Sequence, residues 1–164
     1  MTIFVKNKHT LQIDEFKFRC CIGKNGSTKN KKEGDKKTPK GTFKIENLYF
    51  RGDRKPKPTT SLKCIEIKNY MGWCDDISFP KKYNKLFKIK KNIKYEKLKR
   101  RDCKYNLLVP IKYNFRKPII GKGSCIFIHI TKNYKPTAGC IALKEKDFLI
   151  MLKLIKKDSK IKIF

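Results

Sequence analysis

Cys125-Ile126-Phe127-Ile128-His129-Ile130-Thr131 is a run of β-branched and aromatic residues with a single histidine set in it, and Ile141-Ala142-Leu143 resumes the apolar character after a turn-rich loop. Residues of this kind suit a pleated, buried surface, so the run reads as a strand. Side chains alternate between the two faces of a strand, which puts His129 on the same face as Phe127 and Thr131. Leu107 to Tyr113 has the same composition, and Pro118, Gly121 and Gly123 separate the two stretches. Both are expected near the centre of a sheet.

Outward from this centre, short apolar runs punctuated by Gly, Pro, Asn and Asp continue the pattern. Phe16, Phe18, Cys20 and Ile22 alternate with Lys17, Arg19 and Cys21, and further strands are expected at Thr42 to Ile45 and Cys64 to Ile67. Thr28 to Lys40 is charged and poor in large apolar residues, which predicts an exposed loop entering a tight turn at Pro39 and Gly41. Lys81 to Lys104 holds 12 basic and two acidic residues and leaves helix and loop open. Phe148, Met151, Leu152 and Ile155 fall at i, i+3, i+4 and i+7, predicting one amphipathic helix, and Lys160 to Phe164 alternates like a closing strand. The fold class is therefore mainly β, with one amphipathic helix near the C-terminus. No repeat, linker or boundary breaks the chain, so residues 1–164 are expected to form one domain.

The chain has 164 residues, of which 39% are hydrophobic, enough for a core at a length that buries roughly 70% of the unfolded surface. Its longest fully apolar run, Phe148 to Leu152, is far short of the about 20 residues of a membrane span or the about 7 of a signal sequence, so no membrane span or signal peptide is expected. Lys plus Arg number 43 against 14 Asp plus Glu, a formal charge of +29. Only six of the basic residues are Arg, and the lysines are spread along the whole chain, which favours diffuse attraction to anions over sequence readout of nucleic acid. Seven cysteines, an odd number without a CxxC pair, argue against a disulfide framework or zinc ribbon and suit a reducing compartment, so the chain as written reads as cytoplasmic.

His129 and Cys140 lie eleven residues apart, joined by a loop containing the small residues Ala138 and Gly139. A strand, a loop and a second strand can bring the two side chains together. A histidine within about 3 Å of a thiol can hold its proton and favour the thiolate, and nearby lysines lower the thiol pKa further, which makes a nucleophile. Small residues let backbone N–H groups reach a carbonyl oxygen and stabilise a developing oxyanion by roughly 3 kcal/mol. The implied chemistry is acyl transfer through a thioester.

The order His129, then Thr137-Ala138-Gly139-Cys140, resembles the catalytic signature of the L,D-transpeptidase (YkuD) family. Upstream, Gly34-Asp35-Lys36-Lys37-Thr38-Pro39-Lys40-Gly41-Thr42-Phe43 is similar to that family's Thr-Pro-x-Gly-x-Phe segment. Gly72-Trp73-Cys74-Asp75-Asp76, Tyr83-Asn84 and the run from Gly123 to His129 resemble a compact single-domain bacterial subgroup. The likeness extends over about residues 16 to 145. It implies a β-sandwich or closed-barrel-like arrangement of mixed sheets. It also implies a cysteine that attacks a diaminopimelate carbonyl in a peptidoglycan stem tetrapeptide, expels the terminal D-alanine and passes the acyl group to an amine as a 3-3 crosslink, or to water as an L,D-carboxypeptidase. No cofactor is implied. Carried over, Cys140 is nucleophile, His129 is base oriented by a backbone carbonyl, and Thr137, Ala138 and Gly139 shape the loop and oxyanion site. Family members act mostly in the periplasm or cell envelope.

Many members have His before the Gly-Cys and Arg two residues after the Cys, where this chain has Ala138 and Ala142. Binding of substrate carboxylates must then fall to other basic residues, such as Arg51, Arg54, Arg100, Arg101 or lysines, and Arg101 is a candidate. Trp73, Asp75 and Asp76 are candidate cleft residues, since an aromatic beside paired acids can hold the ammonium group of diaminopimelate. Thr38, Pro39 and Gly41 read as a rigid turn supporting the fold. Two other readings compete with the enzyme. One is a basic module for RNA, DNA or anionic polymer, with Lys81 to Lys104 as its patch and tyrosines as stacking platforms. The other is a zinc site formed by Cys125, His129 and Cys140. Oligomeric state is not legible.

Overall fold

The computed structural model describes all 164 residues. In chain order the strands are β1 (Thr2–Val5), β2 (Thr10–Ile13), β3 (Phe16–Cys21), β4 (Ser27–Thr28), β5 (Thr38–Pro39), β6 (Gly41–Lys44), β7 (Leu48–Phe50), β8 (Cys64–Glu66), β9 (Met71–Cys74), β10 (Leu86–Lys88), β11 (Tyr95–Lys97), β12 (Leu107–Pro110), β13 (Phe127–Ile130), β14 (Ile141–Leu143) and β15 (Lys160–Ile163). The one helix, α1 (Glu145–Leu154), lies between the last two strands. Ten of the strands form a mixed sheet in the order β6-β15-β1-β2-β3-β14-β13-β12-β7-β8.

This sheet curls. Beyond β6, Ile45 bridges Ile111 just past β12, with Glu46 N–H donating to Pro110 O at 2.9 Å and Lys112 N–H to Lys44 O at 2.8 Å. An edge strand thus meets a strand well inside the same sheet, the closed-barrel-like form of the expected mixed sheets. Closure removes most of the open edge that an aggregating sheet would present. No helix is long and apolar enough to cross a membrane.

Alternation along β13 decides what each face holds. Ile128 and Ile130 point into a 25-residue buried cluster that also takes Phe148, Met151 and Leu152 from α1. Glu145 and Asp147 in the first turn of α1 and Lys153 in its last suit the helix dipole. Phe127 points the other way, into a second cluster with Leu108, Tyr49, Ile67, Trp73, Leu98, Tyr105 and Cys140. A small antiparallel sheet, β10-β9-β11, supplies Trp73 to that second face. Lys81 to Lys104 therefore contains two short strands, neither helix nor plain loop, because each of β10 and β11 pairs with β9.

β13 and β14 run parallel, with His129 opposite Ala142 and Ile128 opposite Ile141. One step back, Cys140 stands beside Phe127, so Cys140 and His129 share the second face. A parallel neighbour requires a crossover, and segment 131–140 makes it without a helix. It leaves β13 through Thr131 N–H to Leu143 O (2.7 Å), docks on the end of β3 through Thr137 N–H to Ile22 O (2.9 Å), and returns at Cys140.

Candidate active site

The thiol of Cys140 is at the floor of a cleft of about 980 Å³ lined also by His129, Tyr105, Cys125 and Ala138. Cys140 is 9% exposed and His129 5%. His129 Nδ1 lies 2.9 Å from its neighbour's carbonyl, Ile130 O. A carbonyl oxygen only accepts, so Nδ1 carries the hydrogen and Nε2 keeps its lone pair.

The thiol is placed from two directions. Its Sγ donates to Cys125 O at 3.2 Å and accepts Phe127 N–H at 3.4 Å. Cys125 sits in the left-handed region at φ 54°, and its N–H is held by Asn84 Oδ1 at 3.1 Å. Asn84 Oδ1 also accepts Trp73 Nε1–H at 3.0 Å, and Asn84 Nδ2 donates to Tyr113 O and Asn114 O. The segments carrying Trp73 and Asn84 thus end, through one amide, on the residue whose carbonyl holds the sulfur.

The expected thiolate–imidazolium contact is not made. The resting thiol gives its hydrogen to Cys125 O. Burial pushes Cys140 up to about 12, against the Phe127 N–H that pulls it down. Burial likewise depresses His129 to about 4, against the Ile130 carbonyl that favours its charged form. Lysine proximity is outweighed by desolvation, and the pair rests as neutral thiol and neutral imidazole.

Thr137 Oγ1 donates to Cys140 O at 2.5 Å and accepts Gly139 N–H at 3.1 Å. The Gly139 amide is therefore engaged and corrects the expectation that it faces a reacting carbonyl, whereas the Ala138 and Cys140 amides carry no such bond. Gly139 has φ +143°, and a Cβ there would meet Lys37 O at 2.9 Å, so only glycine fits. Thr38, fully buried, accepts Gly23 N–H at 2.9 Å and donates to Gly139 O at 2.8 Å. The Thr-Pro segment braces the cysteine loop.

Other site candidates separate sharply. Trp73 is 2% exposed and packs edge-on against Phe127 with ring centroids 5.2 Å apart. It is core, which corrects its place as a cleft aromatic. Asp76 accepts Ser78 N–H and Lys94 N–H, both at 2.9 Å, and fixes a turn outside the cleft. Asp75 does line the cleft, and its Oδ1 is buried without a hydrogen-bond partner. Burial raises its carboxyl pKa against the pull of Lys94, with Glu33 and Glu96 raising it further.

Arg101 is exposed at the cleft rim. Arg54, by contrast, is committed to Asp102 O, Arg101 O and Asn106 Oδ1. Arg100 pairs with Glu96 and Asp102, and Arg51 with Asp53.

Lys31, Glu33, Glu96 and Tyr105 also line the cleft and were not singled out by sequence. Lys31 is only 3% exposed, bonded to Asp35 Oδ1 and Lys32 O, which corrects the picture of 28–40 as a wholly exposed loop. The i,i+4 spacing of Lys31 and Asp35 was the available signal. Tyr83, in the basic segment, is fully buried and donates to Glu33 Oε2, so it is no stacking platform. No group of three or more His, Cys, Asp or Glu side chains is arranged to hold a metal ion, which removes the zinc arrangement of Cys125, His129 and Cys140.

The mainly β fold thus brings one cysteine and one histidine onto the same face of two adjacent segments, where both line one cleft. The YkuD family model, described as the L,D-transpeptidase catalytic domain, matches residues 1–163, and the chain belongs to that family. No curated protein and no solved structure matches it.

Proposed function

We propose that the protein is a cysteine acyltransferase acting on peptidoglycan stem peptides. The observation that carries this reading is that Cys140 and His129 share one sheet face and line one cleft, with the imidazole protonated on Nδ1 so that Nε2 can act as base. Because both groups rest neutral, the thiol proton moves to Nε2 as Sγ attacks the carbonyl before the terminal D-alanine. The tetrahedral oxyanion is met by the Ala138 and Cys140 amides. Collapse breaks the peptide bond, the departing D-alanine amine takes the proton from His129, and a thioester remains on Cys140. An amine from a second stem then attacks that thioester, gives its proton to His129 and restores the thiol, forming a 3-3 crosslink. Water in the same place gives the L,D-carboxypeptidase product.

The cleft's charge suits a zwitterionic peptide. We assign Asp75, which lines the cleft, to a substrate ammonium group, and Arg101, an uncommitted guanidinium at the rim, to a carboxylate. Incubation with a carbapenem, an acylating analogue for this family, tests the reading: mass spectrometry is expected to place one adduct on Cys140, absent from Cys140→Ala and strongly slowed in His129→Ala. An adduct spread over several of the other thiols, or unchanged in Cys140→Ala, would overturn it.

A further inference from the structure

We propose that Tyr105, fixed by Glu96 and Arg100, is a positioning residue that keeps the imidazole of His129 turned with Nε2 into the cleft; this rests on His129 being the base. The bond from Nδ1 to Ile130 O is a single tether to the next residue's carbonyl, and it leaves the ring free to rock about that axis. A second restraint comes from Tyr105, whose ring meets the imidazole at a centroid distance of 5.4 Å and an interplanar angle of 71°. Such edge-to-face contacts have a preferred geometry and resist rotation of either ring.

Tyr105 is itself held on three sides. Its hydroxyl donates to Glu96 Oε1 at 2.9 Å, its ring abuts Phe127 at 5.8 Å, and the Arg100 guanidinium carbon lies 5.0 Å from its centroid. Arg100 completes the frame by donating to the same Glu96 oxygen at 3.0 Å while gripping Asp102 with two hydrogen bonds of 3.0 and 2.7 Å. Glu96 belongs to β11 of the small sheet, so this frame joins the small sheet to the histidine on β13. The ionisable and charged groups around His129 are Tyr105, Lys104, Arg100 and Asp102, with Cys140 just before the adjoining strand β14.

The test uses the whole chain and its two histidines, whose ring signals are followed by NMR as pH is varied, alongside the rate of carbapenem acylation at Cys140. Tyr105→Leu removes the restraint and admits water: acylation is expected to slow by about ten- to a hundredfold at unchanged half-saturating drug concentration, and the His129 titration to move up from its depressed position. Tyr105→Phe keeps the ring, so most of the rate and most of the depressed titration are expected back, and Glu96→Gln should fall between the two. If Tyr105→Leu does not fold, the Phe and Gln variants carry the comparison. Folded variants with wild-type rates and an unmoved His129 titration would overturn the proposal. If the wild type takes no adduct while the variants still shift the His129 signal, the positioning contact stands and the assignment of His129 as base fails.

Discussion

Thr38 and Gly139 lie 101 positions apart in sequence and are joined inside the protein by a 2.8 Å hydrogen bond from Thr38 Oγ1 to Gly139 O. The same hydroxyl oxygen accepts Gly23 N–H, so one buried side chain ties the end of β3 to the loop that presents Cys140. Thr38→Val keeps the shape and strands two backbone groups. It is expected to cost about 1–3 kcal/mol in urea unfolding and to slow acylation of Cys140, with Thr38→Ser close to wild type in both. Equal stability for Val and Thr would show that the brace is not needed.

Gly139→Ala tests the loop from its other side. Its φ of +143° and a Cβ position 2.9 Å from Lys37 O mean that the backbone must shift, carrying the neighbouring cysteine with it. Acylation is expected to fall by more than tenfold while the circular dichroism of the sheet is retained. A fully active alanine variant would contradict this geometry.

Burial holds His129 at about 4, against the Ile130 carbonyl, so the neutral base persists well below its ordinary 6.5. Acylation rate is therefore expected to stay level from neutral pH to about 5 and to fall as the pH approaches 4. Stability follows the same sign. The unfolded chain binds this proton near 6.5 and the folded chain only near 4, so about 3 kcal/mol present above 6.5 is lost as pH falls through that window. Urea unfolding of wild type and His129→Gln at pH 7 and pH 4.5 isolates the effect, because the carboxylates titrate in both proteins. A stability difference independent of pH would contradict it.

Trp73 and Asp75 are two residues apart yet have opposite expected phenotypes. Trp73→Ala removes a fully packed side chain and should cost about 3–5 kcal/mol in unfolding. Trp73→Phe should leave KM for the stem peptide near wild type. Asp75→Asn should raise that KM several-fold with little loss of stability, since its buried Oδ1 has no partner to lose. A Trp73→Phe variant with a raised KM and normal stability would return that residue to the cleft.

Period-two patterning made β3 and the closing strand β15 legible, because alternation reports burial on one face, while β12 and β13, buried on both faces, were legible from their β-rich apolar composition. The spacing of Phe148, Met151, Leu152 and Ile155 did the same for α1. The curl was legible only through the family resemblance, since it depends on Ile45 meeting Ile111, a pairing between distant segments that no local pattern encodes. At the site, His129 and Cys140 were legible as residue types in order. Their neutral resting state was not, since desolvation is a property of the packed cluster rather than of neighbours in sequence. Trp73 misled because a Trp beside two acids has the composition of a binding site, while Trp73 lies within β9 and in the core and Asp75 lies just past the end of β9 and lines the cleft. Tyr105, Glu96 and Lys31 were hidden in basic stretches whose charge suggested solvent.

The most direct measurement supplies a synthetic stem tetrapeptide to the purified protein and quantifies released D-alanine, with and without an amine acceptor, for wild type, Cys140→Ala and His129→Ala. Release by wild type, none by Cys140→Ala and a small residue by His129→Ala is the predicted result. Equal release by wild type and Cys140→Ala, or none from a wild type whose Cys140 is readily acylated by a carbapenem, would contradict stem-peptide acyl transfer through this thiol.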